Sequence, residues 1–161
     1  MHPARPGTDA RPDTRRSLGS AALIGVGLMA AVDEVVFHQL LRWHHFFDRG
    51  TPALGIVSDG LLHAFELVAL VGGAFLVADL LRRGAWAGRW GWAGVFLGAG
   101  GFQLFDGIVD HKLLRVHQVR YGVELLPYDV AWNTAGLVVL ALGVALWLRA
   151  RGRVRRADVA R

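Results

Sequence analysis

Apolar residues gather in four long stretches, over residues 19–47, 58–83, 89–118 and 128–149. A helix needs about 20 residues to cross the hydrocarbon core of a membrane, and each stretch is long enough to do so. Backbone polar groups in lipid must bond to one another, which favours helices. A transmembrane β-barrel requires strands of alternating polarity, and these Ala-, Leu-, Val- and Gly-rich stretches lack that alternation. The pattern therefore predicts an all-α bundle of four membrane-spanning helices.

The composition agrees with a membrane protein and narrows the chemistry of any site. Hydrophobic residues make up 53% of the 161 residues, and the mean hydropathy is +0.36. The sequence has no cysteine, which excludes a disulfide framework, a thiolate metal site and a cysteine nucleophile. Only two methionines are present, so a soft copper(I) site is disfavoured as well.

The basic residues lie mainly at the ends of the chain and in its central connection. Of 18 Lys and Arg residues, four precede the first stretch, three lie where the second stretch ends and the third begins (Arg82, Arg83 and Arg89), and six lie at the end of the fourth or after it. Cytoplasmic segments of membrane proteins carry an excess of such residues, so both termini are predicted to be cytoplasmic. Residues 1–18 are predicted to be a disordered basic tail and residues 150–161 a basic cytoplasmic tail. The predicted partner of these arginines is the lipid bilayer, not a nucleic acid.

Two stretches of the sequence repeat each other. Residues 33–44 read DEVVFHQLLRWH, and residues 106–117 read DGIVDHKLLRVH. The shared pairs are Asp33 with Asp106, His38 with His111, Arg42 with Arg115, and His44 with His117. Coincidence between apolar segments could explain the leucines, but hardly the same spacing of Asp and two His residues twice.

The helices that follow these stretches also match, more weakly. Asp59 matches Asp129, whereas Asn133 replaces His63 and Gly136 replaces Glu66. We therefore predict a tandem duplication of a two-helix hairpin, with repeat 1 over residues 19–83 and repeat 2 over residues 89–149. A hairpin returns the chain to its starting side, so the copies form a parallel repeat about an axis along the membrane normal.

Ionisable residues crowd the predicted outer ends of these helices. Such residues are costly in a membrane and usually face the bundle interior, where they mark function. Counting residues outward along regular helices predicts three layers. The outer layer holds His44, His117, Asp59 and Asp129, the middle layer His38, His63, Glu66 and His111, and the inner layer Asp33, Asp106 and Asp110.

The middle layer, His38, His63, Glu66 and His111, is the predicted metal site. Imidazole and carboxylate ligands suit zinc, iron, manganese or copper(II). The predicted supporting layer around the ligands consists of His44, His117, Asp129, Asp33 and Asp106. Glu66, Asp59 and Asp110 are the candidate catalytic carboxylates. Simpler roles stay open: Asp59 and Asp129 could cap helices, and His44 and His45 could be interfacial residues.

Four functions fit this arrangement. The first is a metal-dependent hydrolase or oxidoreductase acting on a small membrane-associated substrate. The second is a non-enzymatic protein that delivers or senses a metal ion. The third is a haem-binding electron carrier using His38–His111 or His44–His117, and the fourth is a proton or ion pathway. The sequence does not decide whether the protein is an enzyme, and it is compatible with a homo-oligomer.

The segments DEVVFHQLLRWHH, SDGLLHAFE, GGFQLFDGIVDHKLLRVHQVR and LLPYDVAWNTAG resemble a bacterial membrane-protein family catalogued as domain of unknown function 2243. The resemblance covers about residues 18–149. It implies a four-span protein of the bacterial cytoplasmic membrane and supplies no activity. The chain also resembles, loosely, di-iron four-helix bundles, but their Glu-x-x-His order is reversed here in His63 and Glu66.

Overall fold

The computed structural model describes residues 11–159, and these residues form an all-α four-helix bundle. The elements are α1 (Thr14–Val32) continuing into a π-helical segment π1 (Asp33–Leu40), α2 (Pro52–Arg82), α3 (Gly88–Phe105) continuing into π2 (Asp106–Leu113), and α4 (Leu125–Val159). Four spans, Thr14–Leu40, Pro52–Arg82, Gly88–Leu113 and Leu125–Arg153, are long and apolar enough to cross a membrane. The predicted fold class is confirmed.

The helix ends differ from the predicted boundaries. Asp13 accepts a hydrogen bond from the backbone N–H of Arg16 at 3.0 Å, and this cap starts α1 at Thr14. Residues 14–18, expected in the disordered tail, are therefore helical, whereas residues 1–10 lie outside the described part of the chain. Residues 150–159, expected as a tail, continue α4, because arginine and alanine are good helix formers.

The proposal that Asp59 and Asp129 cap helices is wrong. Thr51 caps α2, accepting from the N–H of Leu54 at 3.3 Å, with Pro52 at the first helical position. Asp59 therefore lies two turns inside α2, and α4 begins at Leu125, ahead of Asp129. Both carboxylates are consequently free to take part in a site between helices.

The helices pack in the order α2, α1, α3, α4. Helix α1 contacts both α2 and α3, and α3 contacts α4, whereas within residues 11–159 the outer helices α2 and α4 do not pack on each other. Apolar side chains such as Leu61, Val68 and Phe75 on α2 and Leu137 and Val138 on α4 point outward. Since the hydrocarbon core is the apolar solvent of a membrane helix, these are the expected lipid-facing surfaces.

The two central helices, α1 and α3, are parallel and contact each other through small residues. A Cβ atom on Gly25 would lie 2.0 Å from the carbonyl oxygen of Val95, and one on Gly98 would lie 2.0 Å from that of Ala22. Gly25 and Gly98 are matched by the sequence repeat, as are Ala22 and Val95. Small residues of this kind let membrane helices approach closely.

The contacts within the two hairpins also match. In repeat 1, Gly73 of α2 packs against Ile24 of α1, and in repeat 2, Gly143 of α4 packs against Leu97 of α3. Each pair runs antiparallel, so the two hairpins lie in the same sense, side by side. This equivalence supports the predicted duplication of a two-helix unit.

Candidate functional site

The C-terminal end of each central helix changes from α to π winding at an aspartate. The π segments begin at Asp33 and Asp106 and each spans eight residues. π-Helix is rare and is frequently found at functional sites. Its i to i+5 spacing brings side chains five residues apart together: the Nε2 of Gln39 donates to Glu34 Oε1 at 2.7 Å. This winding could not be predicted from the sequence, because apolar periodicity does not distinguish a π-helix from an α-helix.

A left-handed residue follows each π segment. Arg42 and Arg115 both have φ of 53°, a conformation that costs a non-glycine residue roughly 1–2 kcal/mol. Strain of this kind persists where the surroundings impose it, often at functional sites. The turn it creates brings His44 back beside His38, with ring centroids 4.4 Å apart, and His117 beside His111 at 4.6 Å.

Four histidines consequently form one buried cluster between the repeats. His38, His44, His111 and His117 are each at most 5% exposed. The rings of His44 and His117 stack face to face, with centroids 4.6 Å apart and an interplanar angle of 9°. The cluster thus joins the two hairpins at the C-terminal end of the central helix pair. The histidine cluster expected from the sequence is therefore present.

Two of these rings are fixed by reciprocal hydrogen bonds across the repeats. The Nδ1–H of His44 donates to the carbonyl oxygen of Val119 at 2.8 Å, and that of His117 donates to Phe46 at 2.9 Å. The repeat matches Phe46 with Val119. In each ring this assignment makes Nε2 the unprotonated nitrogen, whose lone pair can accept a hydrogen bond or bind a metal ion. Burial, followed by the neighbouring His117, lowers the pKa of His44 to about 2, which keeps that ring neutral.

In repeat 2, Asp106 completes a compact group of ligand atoms. The Nε2 atoms of His111 and His117 are 2.9 Å apart. The oxygens of Asp106 lie 3.1 Å from the first and 3.2 Å from the second. A ring nitrogen of His44 lies within 4.8 Å of ring nitrogens of His111 and His117. One carboxylate and three imidazoles therefore converge.

In repeat 1, His38 is surrounded by carboxylates. Its Nδ1 lies 2.9 Å from an oxygen of Asp59 and 3.1 Å from one of Glu34, and its Nε2 lies 3.5 Å from Asp33. The other oxygen of Asp59 contacts the ring of His45 at 2.5 Å. The corresponding histidines, His38 and His111, therefore have different surroundings in the two repeats.

A cavity of about 780 Å³ reaches the repeat 1 side of the cluster. Its walls contain polar, charged and aromatic side chains, including His38, His44, His45 and Asp59, with Gln39, Arg42, Trp43, Asp48, Ile56 and Tyr121. His111 and His117 do not line it. Small solutes can thus approach the cluster from repeat 1.

The structure regroups the predicted middle layer. His38 and His111 lie in the cluster, but His63 and Glu66 pair with each other at 2.5 Å and join neither group of converging ligand atoms described above. The side chain of His63 is 52% exposed. The layer count assumed regular helices, and the π winding together with the turn at Arg42 invalidates that assumption.

The other predicted layers are also redistributed. His44 and His117, expected farther out, lie with His38 and His111. Asp33 and Asp106 contact these histidines. Asp129 instead pairs with Lys112, and Asp110 is buried beside the cluster, at 7% exposure. Of the candidate catalytic carboxylates, only Asp59 lines the cavity.

Sequence reasoning missed Glu34 and underestimated His45. Glu34 is 2% exposed and contacts His38, and His45 contacts Asp59 instead of serving only as an interfacial residue. An acidic residue within an apolar stretch is itself an indication of function, and Glu34 is such a residue. Because Gly107 occupies the matched position in the other repeat, the repeated motif does not include Glu34.

The donor chemistry fits a transition metal better than haem. Several buried atoms, among them His38 Nε2, His44 Nε2 and Asp106 Oδ2, have no hydrogen-bond partner within the described residues, which is costly unless something binds them. The face-to-face stacking of His44 and His117 leaves no gap for a macrocycle between these two rings. Ligation of haem by that pair therefore does not fit.

The fold and the cluster together define a four-helix membrane protein with a buried histidine–carboxylate centre. Residues 20–150 match the family described as predicted membrane protein, DUF2243. The chain therefore belongs to this family, as its motifs predicted. Neither the curated proteins nor the solved structures contain a match to it.

Proposed function

We propose that the protein is a membrane metalloprotein that binds a divalent transition metal ion through Asp106, His111 and His117, with His44 as a fourth ligand. The observation that carries this proposal is the convergence of two Nε2 atoms and a carboxylate at separations of 2.9–3.2 Å. Of the four ligands expected from the sequence, only His111 belongs to this set. The other three, His38, His63 and Glu66, are replaced by residues that lie closer to His111.

The separations are those that ligands of one ion have. Metal–nitrogen distances of about 2.0–2.1 Å place two ligands about 2.9 Å apart at right angles and about 3.3 Å apart in a tetrahedron. The observed 2.9, 3.1 and 3.2 Å lie within that interval. Three imidazoles and a carboxylate suit zinc, iron, manganese or copper(II).

The second support is the way in which the ligands are held. His117 is oriented by Phe46 and His44 by Val119, and hydrogen bonds of this type from the second ring nitrogen are usual for histidines that bind metals. The Nε2 of His44 has no hydrogen-bond partner within the described residues. The Nε2 of His117 faces His111 and Asp106, so both nitrogens are placed to bind an ion.

The cavity favours a site that a solute can reach. A bound ion of this type supplies Lewis acidity or redox chemistry, so hydrolysis or oxidation of a small membrane-associated substrate is the proposed reaction class. Asp59 lines the cavity and contacts both His38 and His45. Delivery of the ion itself to another protein is the alternative, which tight retention of the ion would disfavour.

Elemental analysis of detergent-purified protein tests the proposal. We expect at least one zinc, iron, manganese or copper ion per wild-type chain, and one ion fewer in His117→Ala and in the milder His117→Gln. His63→Ala is the matched control, because His63 lies outside the group, and it should retain the wild-type content. Helicity and elution volume verify folding. Wild-type protein without metal, or unchanged content in both His117 variants, would contradict the proposal.

A further inference from the structure

The two repeats treat one matched pair of carboxylates differently. In repeat 2, the ammonium group of Lys112 contacts Asp129. The repeat places Gln39 at the position of Lys112 and Asp59 at that of Asp129. Gln39 carries no charge and bonds to Glu34, so Asp59 has no lysine partner. Repeat 2 thus contains a built-in cation that repeat 1 lacks.

The two repeats also differ in charge at the position of Glu34, the residue to which Gln39 bonds. Repeat 1 has Glu34 where repeat 2 has Gly107. A Cβ atom on Gly107 would lie 2.6 Å from Asn133 Oδ1 and 2.7 Å from the ring of Trp132, so side chains already fill this space in repeat 2. In repeat 1, Glu34 Oε2 is buried and has no hydrogen-bond partner within the described residues. It lies 3.1 Å from His38.

Repeat 1 therefore buries more negative than positive charge. Asp33, Glu34 and Asp59 are at most 3% exposed and surround His38. An imidazolium at His38 would balance only one of the three carboxylates, and His45, which is partly exposed, would balance one more. Asp59 also accepts the backbone N–H of Phe46 at 2.7 Å, but uncompensated buried charge is strongly unfavourable, and a divalent cation held by these carboxylates would compensate it.

We propose that repeat 1 binds a second divalent cation, through Glu34, His38 and Asp59, at the place where repeat 2 carries the ammonium group of Lys112. The Nδ1 of His38 lies 2.9 Å from Asp59 and 3.1 Å from Glu34, and one ligand atom from each residue lies within 4.8 Å of the other two. Carboxylates with one imidazole are suitable ligands for divalent metals. These ligands differ from those of the first ion, so the proposal extends the proposed function to two ions.

The position of the cavity gives this second ion a distinct property. His38 and Asp59 line the cavity, whereas His111 and His117 do not. Two of the three ligands of the second ion line the cavity, against His44 alone among the four ligands of the first, so the second ion is the more accessible of the two. It exchanges with the solution faster than the ion held by the three histidines, and it is the ion that meets an incoming solute.

Converting repeat 1 to the residues of repeat 2 tests the proposal. The full chain in detergent is dialysed against Zn²⁺, which accepts imidazole and carboxylate ligands, and the bound zinc is counted. We expect two ions per wild-type chain and one in the double variant Glu34→Gly/Gln39→Lys. Gln39→Met is the matched control, since it changes the same side chain without adding a charge, and it should bind two. Glu34→Gln serves as a milder variant and should weaken one site at least tenfold.

The outcomes separate this proposal from the first. One ion in wild type that His117→Ala removes and the double variant keeps would overturn the second site and leave the first. One ion that the double variant removes and His117→Ala keeps would support the second site and overturn the first. Wild-type protein that binds no zinc would overturn both. Loss of an ion in Gln39→Met would overturn the role given to the lysine charge.

Discussion

His44 and His117 have matched positions in the repeats and equivalent anchors. Each donates from Nδ1 to a backbone carbonyl of the opposite repeat, at 2.8 and 2.9 Å. Because the acceptors are main-chain atoms of Val119 and Phe46, no substitution of those two side chains removes them directly. The orientation of the rings therefore depends on how the hairpins dock.

The residues around the cluster differ between the two matched halves. Glu34 is matched by Gly107, Gln39 by Lys112, and His63 by Asn133. Each difference alters charge or donor chemistry, whereas the Asp, His and Arg residues of the motif are kept in both repeats. The common residues build the central cluster, and the divergent ones make its two sides chemically distinct.

The crossing of α1 and α3 positions the cluster, so its packing should control both stability and metal binding. Gly98→Ala places a Cβ atom 2.0 Å from the Ala22 carbonyl oxygen, which forces the helices apart. Overpacking of this kind costs about 1–3 kcal/mol. We expect a lower thermal unfolding midpoint in detergent and weaker retention of the ion, measured by fluorescence melting and elemental analysis.

Gly101→Ala is the control on the same helix. A Cβ atom there meets nothing within 4 Å, and alanine favours a helix over glycine by up to about 1 kcal/mol. This variant should be as stable as the wild type or slightly more so. If both substitutions destabilised the protein equally, helix α3 would tolerate no change at either glycine. The effect of Gly98→Ala could then not be attributed to close packing against α1.

The helices themselves could be predicted, but their winding could not. Length and apolarity were enough to predict four spans, and the recurrence of Asp33, His38 and His44 at 106, 111 and 117 is the basis of the predicted hairpin repeat. The two π segments and the left-handed Arg42 and Arg115 depend on tertiary contacts that periodicity does not encode. The predicted layers failed for His44 and His117 for that reason.

The sequence therefore predicted which residues belong to the candidate site better than it predicted which of them lie in contact. His38 and His111 were expected as ligands and lie in the cluster, whereas His63 and Glu66 form a separate pair. Which residues meet depends on rotation about each helix axis. The difference between α and π winding changes that rotation along the segment that carries the ligands.

The orientation of the whole molecule in the membrane is testable by cysteine labelling. The chain has no cysteine, so a single introduced cysteine reports alone. If the arginine-rich ends and the α2–α3 connection are cytoplasmic, Arg49→Cys, before α2, should react in intact cells with a maleimide that does not cross the membrane. Arg89→Cys, in the first turn of α3, should react only after the membrane is permeabilised. The reverse pattern would contradict the predicted orientation.

Two parallel hairpins place both histidine motifs at the same end of the bundle, as the matched contacts of Gly25 with Val95 and Gly98 with Ala22 require. With the predicted orientation, that end is the outer side of the cytoplasmic membrane. A substrate or ion would then enter from outside through the repeat 1 cavity. The apolar outer faces of α2 and α4 would remain in lipid.

The most direct test of the central claim is X-ray absorption at the zinc edge, on the protein loaded with one equivalent of Zn²⁺. We predict nitrogen and oxygen ligands at about 2.0–2.1 Å, with the outer-shell scattering of about three imidazoles, reduced by one imidazole in His117→Gln. A spectrum of oxygen ligands without imidazole scattering, or one that His117→Gln leaves unchanged, would contradict the account.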